Sequence, residues 1–177
     1  MNAEPRNCAP RAAPADALFA FALADQDFAV PAESVREVAR LDRIAPVPMA
    51  APMIAGIARH GGRLVPVLDL RPAFALSSRD RAANLGVLVE RDGELHALLA
   101  ESVEGPWTDP ESGAERSAIA VPARFRPCCA GIVLRGERPL VILDLASVLA
   151  HGAGDAVGGE PEHERRSEED SEHVFQH

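Results

Sequence analysis

The chain repeats itself. Pro52, Gly56-Ile57, Gly61, Arg63 and Asp69-Leu70 recur as Pro127, Gly131-Ile132, Gly136, Arg138 and Asp144-Leu145, each at a spacing of 75 residues. Upstream of that match, Ala32-Glu33-Ser34-Val35 recurs as Ala100-Glu101-Ser102-Val103 at a spacing of 68. The seven-residue difference places a longer loop in the second copy, in the stretch from Pro106 to Glu115. A register held from Pro52 to Leu70 is more than chance sustains, so the fold must be one that can be built twice.

Each copy reads as a strand, a Gly turn, a second strand and a short helix opened by aspartate. Asp69 and Asp144 stand just before apolar stretches. There a carboxylate can accept from an orphan backbone N–H, an N-cap worth about 1 kcal/mol. Pro72 falls in the first helical turn, where its missing N–H costs nothing. A unit of roughly 65–70 residues is marginal alone by surface-to-volume scaling. Two such units packed together share an apolar seam and leave a groove between them in which a partner helix can lie.

The surrounding segments read as strands. Leu18 to Leu23 is apolar with its bulk at Phe19, Phe21 and Leu23, and Asp25-Gln26-Asp27 turns it into Phe28-Ala29-Val30-Pro31. Arg63 to Leu68 is entered through Gly61-Gly62, and Leu85 to Glu90 runs into the hairpin signal Asp92-Gly93. Short helices are expected at residues 51–54, 70–75 and 145–150. Many short strands at this spacing indicate small barrels or a sandwich. The folded part is expected at residues 17–150. The Ala/Pro/Arg-rich arm 1–16 and the acidic tail 151–177 lack the apolar surface to offset their ordering entropy.

Composition narrows the function. Hydrophobic residues make up 47% of the chain, enough for a core, and the 4% aromatic share without any tyrosine predicts an aliphatic one. The formal charge is −9, and residues 151–177 hold eight acids against two arginines. A phosphate-binding surface needs a basic excess and a single-strand reader needs stacking aromatics, so nucleic acid is not an expected partner. No apolar run approaches the roughly 18 residues of a membrane-spanning helix, so no membrane insertion is expected. Residues 1–16 hold Pro5, Pro10 and Pro14 and no apolar stretch of the secretory kind. Cys8, Cys128 and Cys129 form no spaced disulfide framework. These features together read as a cytoplasmic protein.

Signatures of catalysis are missing. His163-Glu164-Arg165-Arg166-Ser167 lacks the second histidine of a zincin helix, and Gly152-Ala153-Gly154 lacks the third glycine of a dinucleotide fingerprint. Nothing matches a Gly-x-Ser-x-Gly elbow. Cys128-Cys129 are adjacent, without the two intervening residues of a redox or zinc pair. The expectation is a protein that is no enzyme and holds no metal or cofactor.

Phe28-Ala29-Val30-Pro31-Ala32-Glu33-Ser34-Val35-Arg36-Glu37-Val38, Pro46-Val47-Pro48, Pro52, Gly56-Ile57 and Arg63-Leu64-Val65-Pro66-Val67-Leu68-Asp69-Leu70-Arg71 resemble, in order and spacing, the CheW-like family of chemosensory coupling proteins. The resemblance covers residues 17–150. It implies a mainly β fold of two SH3-like five-stranded β-barrels with a few short helices. It further implies a non-catalytic adaptor that joins the cytoplasmic tip of chemoreceptors to the regulatory domain of a CheA-type histidine kinase. The positions it assigns to partner contact are Val35 and Gly56, with Glu37 and Leu41 nearby. Val35 is equally readable as core, and Gly56 as a residue of backbone geometry. The chain departs from the family after Gly56. Where Asn-Leu-Arg-Gly is usual it has Arg59-His60-Gly61-Gly62, so the usual arginine falls on Gly61. Arg59 is one candidate substitute, and Arg135 in Leu134-Arg135-Gly136 is its expected counterpart in the repeat. This departure opens a second reading, a divergent module for another chemosensory output such as pilus-driven motility, binding only the kinase-like partner.

Overall fold

The computed structural model describes residues 17–77, 83–108 and 120–153. Among them, strands run β1 (Ala17–Leu23), β2 (Gln26–Pro31), β3 (Val35–Arg40), β4 (Ile44–Ala45), β5 (Ile54–His60) and β6 (Arg63–Leu68), followed by helix α1 (Leu70–Ala73). The second half supplies β7 (Leu85–Arg91), β8 (Glu94–Ala100), β9 (Ser102–Thr108), β10 (Cys129–Arg135), β11 (Arg138–Leu143) and helix α2 (Leu145–Ala153). One sheet has the order β10-β11-β2-β1-β9, the other β3-β7-β8-β6-β5-β4. The fold is mainly β with few short helices. The second sheet carries the five strands that match the first, plus the two-residue edge strand β4.

Strand register makes the duplication quantitative. Val67 faces Ala97 across the parallel pair β6–β8, and Ile142, 75 residues after Val67, faces Ala29, 68 before Ala97, across β11–β2. Val35 opposite Val89 in β3–β7 returns as Val103 opposite Phe21 in β9–β1. Gly86 opposite Leu99 likewise repeats Leu18 opposite Pro31. The two copies are, however, not two contiguous units as the sequence suggested. The first sheet joins hairpin β1–β2 to β9, β10 and β11, while the second joins hairpin β7–β8 to β3, β5 and β6. Each half thus lends a hairpin to the other. A repeat reveals what is duplicated and carries no record of which copy's strands pair.

This exchange explains the near-continuous apolar strands, which are buried on both faces. Along β7, Val87 and Val89 face a central cluster shared by both sheets, while Leu88 faces a cluster enclosed by the second sheet with Val65, Val67, Ala97 and Leu99. The first sheet encloses Leu18, Ala20, Ala29, Val133, Leu140 and Ile142. The centre of the shared cluster is aromatic, against the aliphatic expectation. Phe28 lies 5.8 Å from Phe21, 5.7 Å from Phe74 and 6.2 Å from Phe125, ring centre to ring centre. Four of the few aromatic residues concentrate at the one place both copies reach.

Local expectations fare variably. Asp69 accepts from the Arg71 N–H at 3.0 Å and Asp144 from the Ala146 N–H at 3.1 Å, so both act as N-caps. Helix α1 stops at Ala73, with Ala75 in the left-handed region at φ 49°. No helix forms at residues 51–54. Ile54 instead opens β5 opposite Leu68, and the backbone N–H of Asp69 binds the Met53 carbonyl at 2.8 Å. Gln26 and Asp27, expected in a turn, belong to β2, because Ala24 at φ 55° lets the chain reverse in two residues. Helix α2 continues past residue 150 to Ala153. Its buried Gly152 sits so close to Leu68 that a Cβ there would fall 2.4 Å from Leu68 Cδ2. The folded part therefore reaches Ala153. The arm 1–16, the rest of the tail and most of the loop expected from Pro106 to Glu115 lie outside the described residues.

Candidate partner-binding surface

Strand β3 leaves the central core and becomes a charged edge. Val35 is half-buried and packs against the shared cluster. Next to it the exposed Arg36 donates to both carboxylate oxygens of Glu90, at 3.0 and 3.1 Å. This hydrogen-bonded pairing holds the Glu90 carboxyl below its ordinary range, first through the hydrogen bond and then through charge. Glu37 is exposed, and its Oε1 lies 2.5 Å from Nε2 of His60 on β5. The edge of the second sheet is thereby tied across to β5.

The neighbouring face of β4, β5 and β6 forms an open groove of about 740 Å³. Ile44, Ile57 and Leu64 make its apolar lining, with Arg43, Arg59 and Asp42 at its rim. Leu64 is 68% exposed. Strand alternation puts it there: Val65 and Val67 point into the enclosed cluster, so Leu64 and Pro66 must point out. The outward position of Leu64 was legible from that alternation, and family-based reasoning passed over Arg43, Ile44, Ile57 and Leu64.

The six positions singled out from the sequence do not form one site. Val35 and Glu37 lie on β3, and Arg59 lines the groove. Gly56 is buried at a bulge of β5 with φ 149°, where a Cβ would stand 2.3 Å from the Ala45 carbonyl oxygen. Its bareness lets β4 lie on β5, so it supports the groove from behind. Leu41 lies apart from the groove. It is only 6% exposed and belongs to the cluster enclosed by the second sheet, its methyl groups lying over Gly86. A leucine at the end of an exposed strand turns inward because glycine leaves it room.

Arg135 lies on β10 in the other sheet. At the 75-residue spacing it is the counterpart of His60, and Gly136 that of Gly61. Each member of the pair stands just before a hairpin turn, His60 opposite Arg63 and Arg135 opposite Arg138. Each reaches an acid on an edge strand, Glu37 on β3 or Glu104 on β9. Arg135 bonds both Glu104 oxygens and lies 3.5 Å from the buried Asp27 carboxylate, which Arg138 contacts at 3.1 Å. It is thus engaged in ion pairs within the fold. Gly61 has φ 54° with open space around it, a turn position suited to glycine.

Other chemistry is scarce. Burial pushes the thiols of Cys128 and Cys129 up from their ordinary range, which suits apolar filling. Among the described residues no group of three or more His, Cys, Asp or Glu could hold a metal, and no helix is long and apolar enough to cross a membrane.

Two interleaved β-sheets offering grooves and charged edges define a protein-binding scaffold. The CheW-like domain family matches residues 17–153, and the chain belongs to that family. It is therefore a non-catalytic chemosensory adaptor domain. Protein FrzA of Myxococcus xanthus is 38% identical over 65 residues, which span 37% of this chain and 41% of that protein. The crystal structure of scaffolding protein TtCheW from Thermoanaerobacter tengcongensis superposes with a TM-score of 0.64 at 22% identity, covering 75% of this chain and 90% of that one. That likeness is one of fold.

Proposed function

We propose that the domain couples an input protein, the cytoplasmic tip of a chemoreceptor, to the regulatory domain of a CheA-type histidine kinase. The observation that carries the reading is the β4–β5–β6 groove, where an exposed leucine lies beside Arg59, a guanidinium with no ion-pair partner among the described residues, on a strand end braced by Glu37 and His60. An apolar floor with a charged rim is the usual anatomy of a transient interface, for which about 1,000–1,600 Å² suffices. Coupling of this kind needs no chemistry. It requires that the partner's two signalling conformations differ in contact energy with the scaffold.

Arg59→Glu and Leu64→Asp, both exposed, are expected to abolish co-sedimentation with receptor tip and kinase while leaving circular dichroism unchanged. Full binding by both folded variants refutes this placement. Receptor and kinase are best assayed separately. The Gly61 position favours a second reading, a module serving another chemosensory output such as pilus-driven motility, in which only the kinase-like partner binds. Loss of receptor binding alone in the unaltered chain supports that reading.

A further inference from the structure

We propose that the groove of β4, β5 and β6 is also the docking site of this chain's own acidic segment, residues 168–175. Three observations point there. The first is charge. The segment reads Glu168-Glu169-Asp170-Ser171-Glu172-His173-Val174-Phe175, four acids followed by an apolar pair. The groove offers the complement, Arg43 and Arg59 on its rim and Ile44, Ile57 and Leu64 as apolar lining. Neither arginine has an ion-pair partner among the described residues, and Asp42 is the one acid at the rim.

The second is where the described chain ends. Helix α2 closes at Ala153 with Gly152 packed on Leu68 of β6 and beside Ile54 of β5. Ile57 lies three residues further along β5, about 10 Å at the strand rise. The third is reach. Glu168 stands fifteen positions after Ala153, and a coil linker of that length has a root-mean-square span of roughly 20–23 Å, well matched to a site that near. Tethering of this kind gives an effective concentration of about 1 mM, so even a segment that binds with a dissociation constant near 1 mM is about half docked. The docked tail covers Arg59 and Leu64 and competes with any protein that uses the groove.

The test needs no partner protein, so it stands apart from the coupling reading. In the full chain, amide resonances of Arg43, Ile57, Arg59 and Leu64 are compared with those of a variant carrying Glu168→Gln, Glu169→Gln, Asp170→Asn, Glu172→Gln, Val174→Ser and Phe175→Ser. The groove amides are expected to move while those of Val133 and Leu140 stay, which also reports an intact fold. Raising salt from 50 to 500 mM in the unaltered chain moves the same amides toward the variant's positions. Arg43→Glu with Arg59→Glu abolishes the difference, and Glu168→Arg, Glu169→Arg, Asp170→Arg and Glu172→Arg together restore it in that background. Groove amides that ignore the tail overturn the proposal, as do shifts centred elsewhere. Shifts that appear only as protein concentration rises assign the groove to a second copy of the chain and overturn it as well.

Discussion

Leu41 and Gly86 make a sharp test of how the second sheet is packed. A Cβ added at Gly86 would lie 2.9, 3.0 and 3.1 Å from Cδ1, Cγ and Cδ2 of Leu41, tighter than ordinary contact. In the first sheet the equivalent of Gly86 is Leu18, paired with Trp107, whereas Gly86 pairs with Ala39. The second sheet is therefore short of two large side chains, and Leu41 folds back to fill the volume. Leu41→Ala empties a buried site and is expected to cost about 3 kcal/mol, within the 2–5 kcal/mol range for buried leucine truncation. Gly86→Ala alone forces Leu41 aside and is expected to cost about 1–2 kcal/mol. Placed together, the new methyl group occupies part of the space the leucine left. The double variant is thus expected to cost less than Leu41→Ala alone, a coupling of 1 kcal/mol or more between touching residues. Urea unfolding at constant m-value measures all four corners of the cycle. Additive costs, or a Leu41→Ala cost below about 1 kcal/mol, would show that Leu41 lies at the surface and that the packing argument is wrong.

Two further outcomes follow from the ionisable groups. The Glu90 carboxyl is held below its ordinary value of 4.5 by Arg36, so its contribution to stability is complete above that value and fades as acid carries the pH down through the depressed one. Glu90→Gln is expected to be slightly less stable than the unaltered chain at pH 7 and indistinguishable from it in strong acid, as read by thermal unfolding; a gap that widens toward low pH contradicts the pairing. The buried Cys128 and the half-buried Cys129 have raised thiol values, so at pH 8 both are expected to react slowly with a thiol reagent in native protein and quickly in 6 M urea. Equal rates in the two conditions would place them at the surface.

The sequence disclosed the elements far better than their arrangement. Hairpins at Gly61-Gly62 and Asp92-Gly93, the caps Asp69 and Asp144 and the paired strands β5–β6 and β10–β11 all follow from short-range chemistry, and all form as expected. The exchange of hairpins does not, because the parallel contacts of β6 with β8 and of β11 with β2 join residues far apart in sequence. The surroundings of two candidate contact residues were hidden for a related reason. Leu41 looks like a surface residue until Gly86 is brought beneath it, and Arg135 looks like a free guanidinium until Glu104 and Asp27 are brought beside it. Leu64, by contrast, could have been assigned outward from the alternation of β6 alone.

Interleaving also explains how a duplicated chain can present two different surfaces. With one copy's hairpin built into each sheet, the shared cluster of Phe21, Phe28, Phe74 and Phe125 needs both halves, and neither sheet can be completed without the other. The shared interior thereby holds both copies to one strand pattern, even where the side chains differ, as at Leu18 and Gly86. At the hairpin ends the copies share the turn glycine and the following arginine, Gly61 with Arg63 and Gly136 with Arg138, but differ in the residues before them. The β10–β11 turn spends its arginines on Glu104 and the buried Asp27, closing that corner. The β5–β6 turn has histidine in place of Arg135, bound to a single exposed glutamate, and Arg59 where the other copy has Leu134. The strand β4, laid over Gly56, then walls one side of the exposed face and turns it into a groove. One sheet end closes on ion pairs within the fold, while at the other Arg59 has no ion-pair partner among the described residues and Leu64 stays exposed, which is why the groove there is the proposed contact surface.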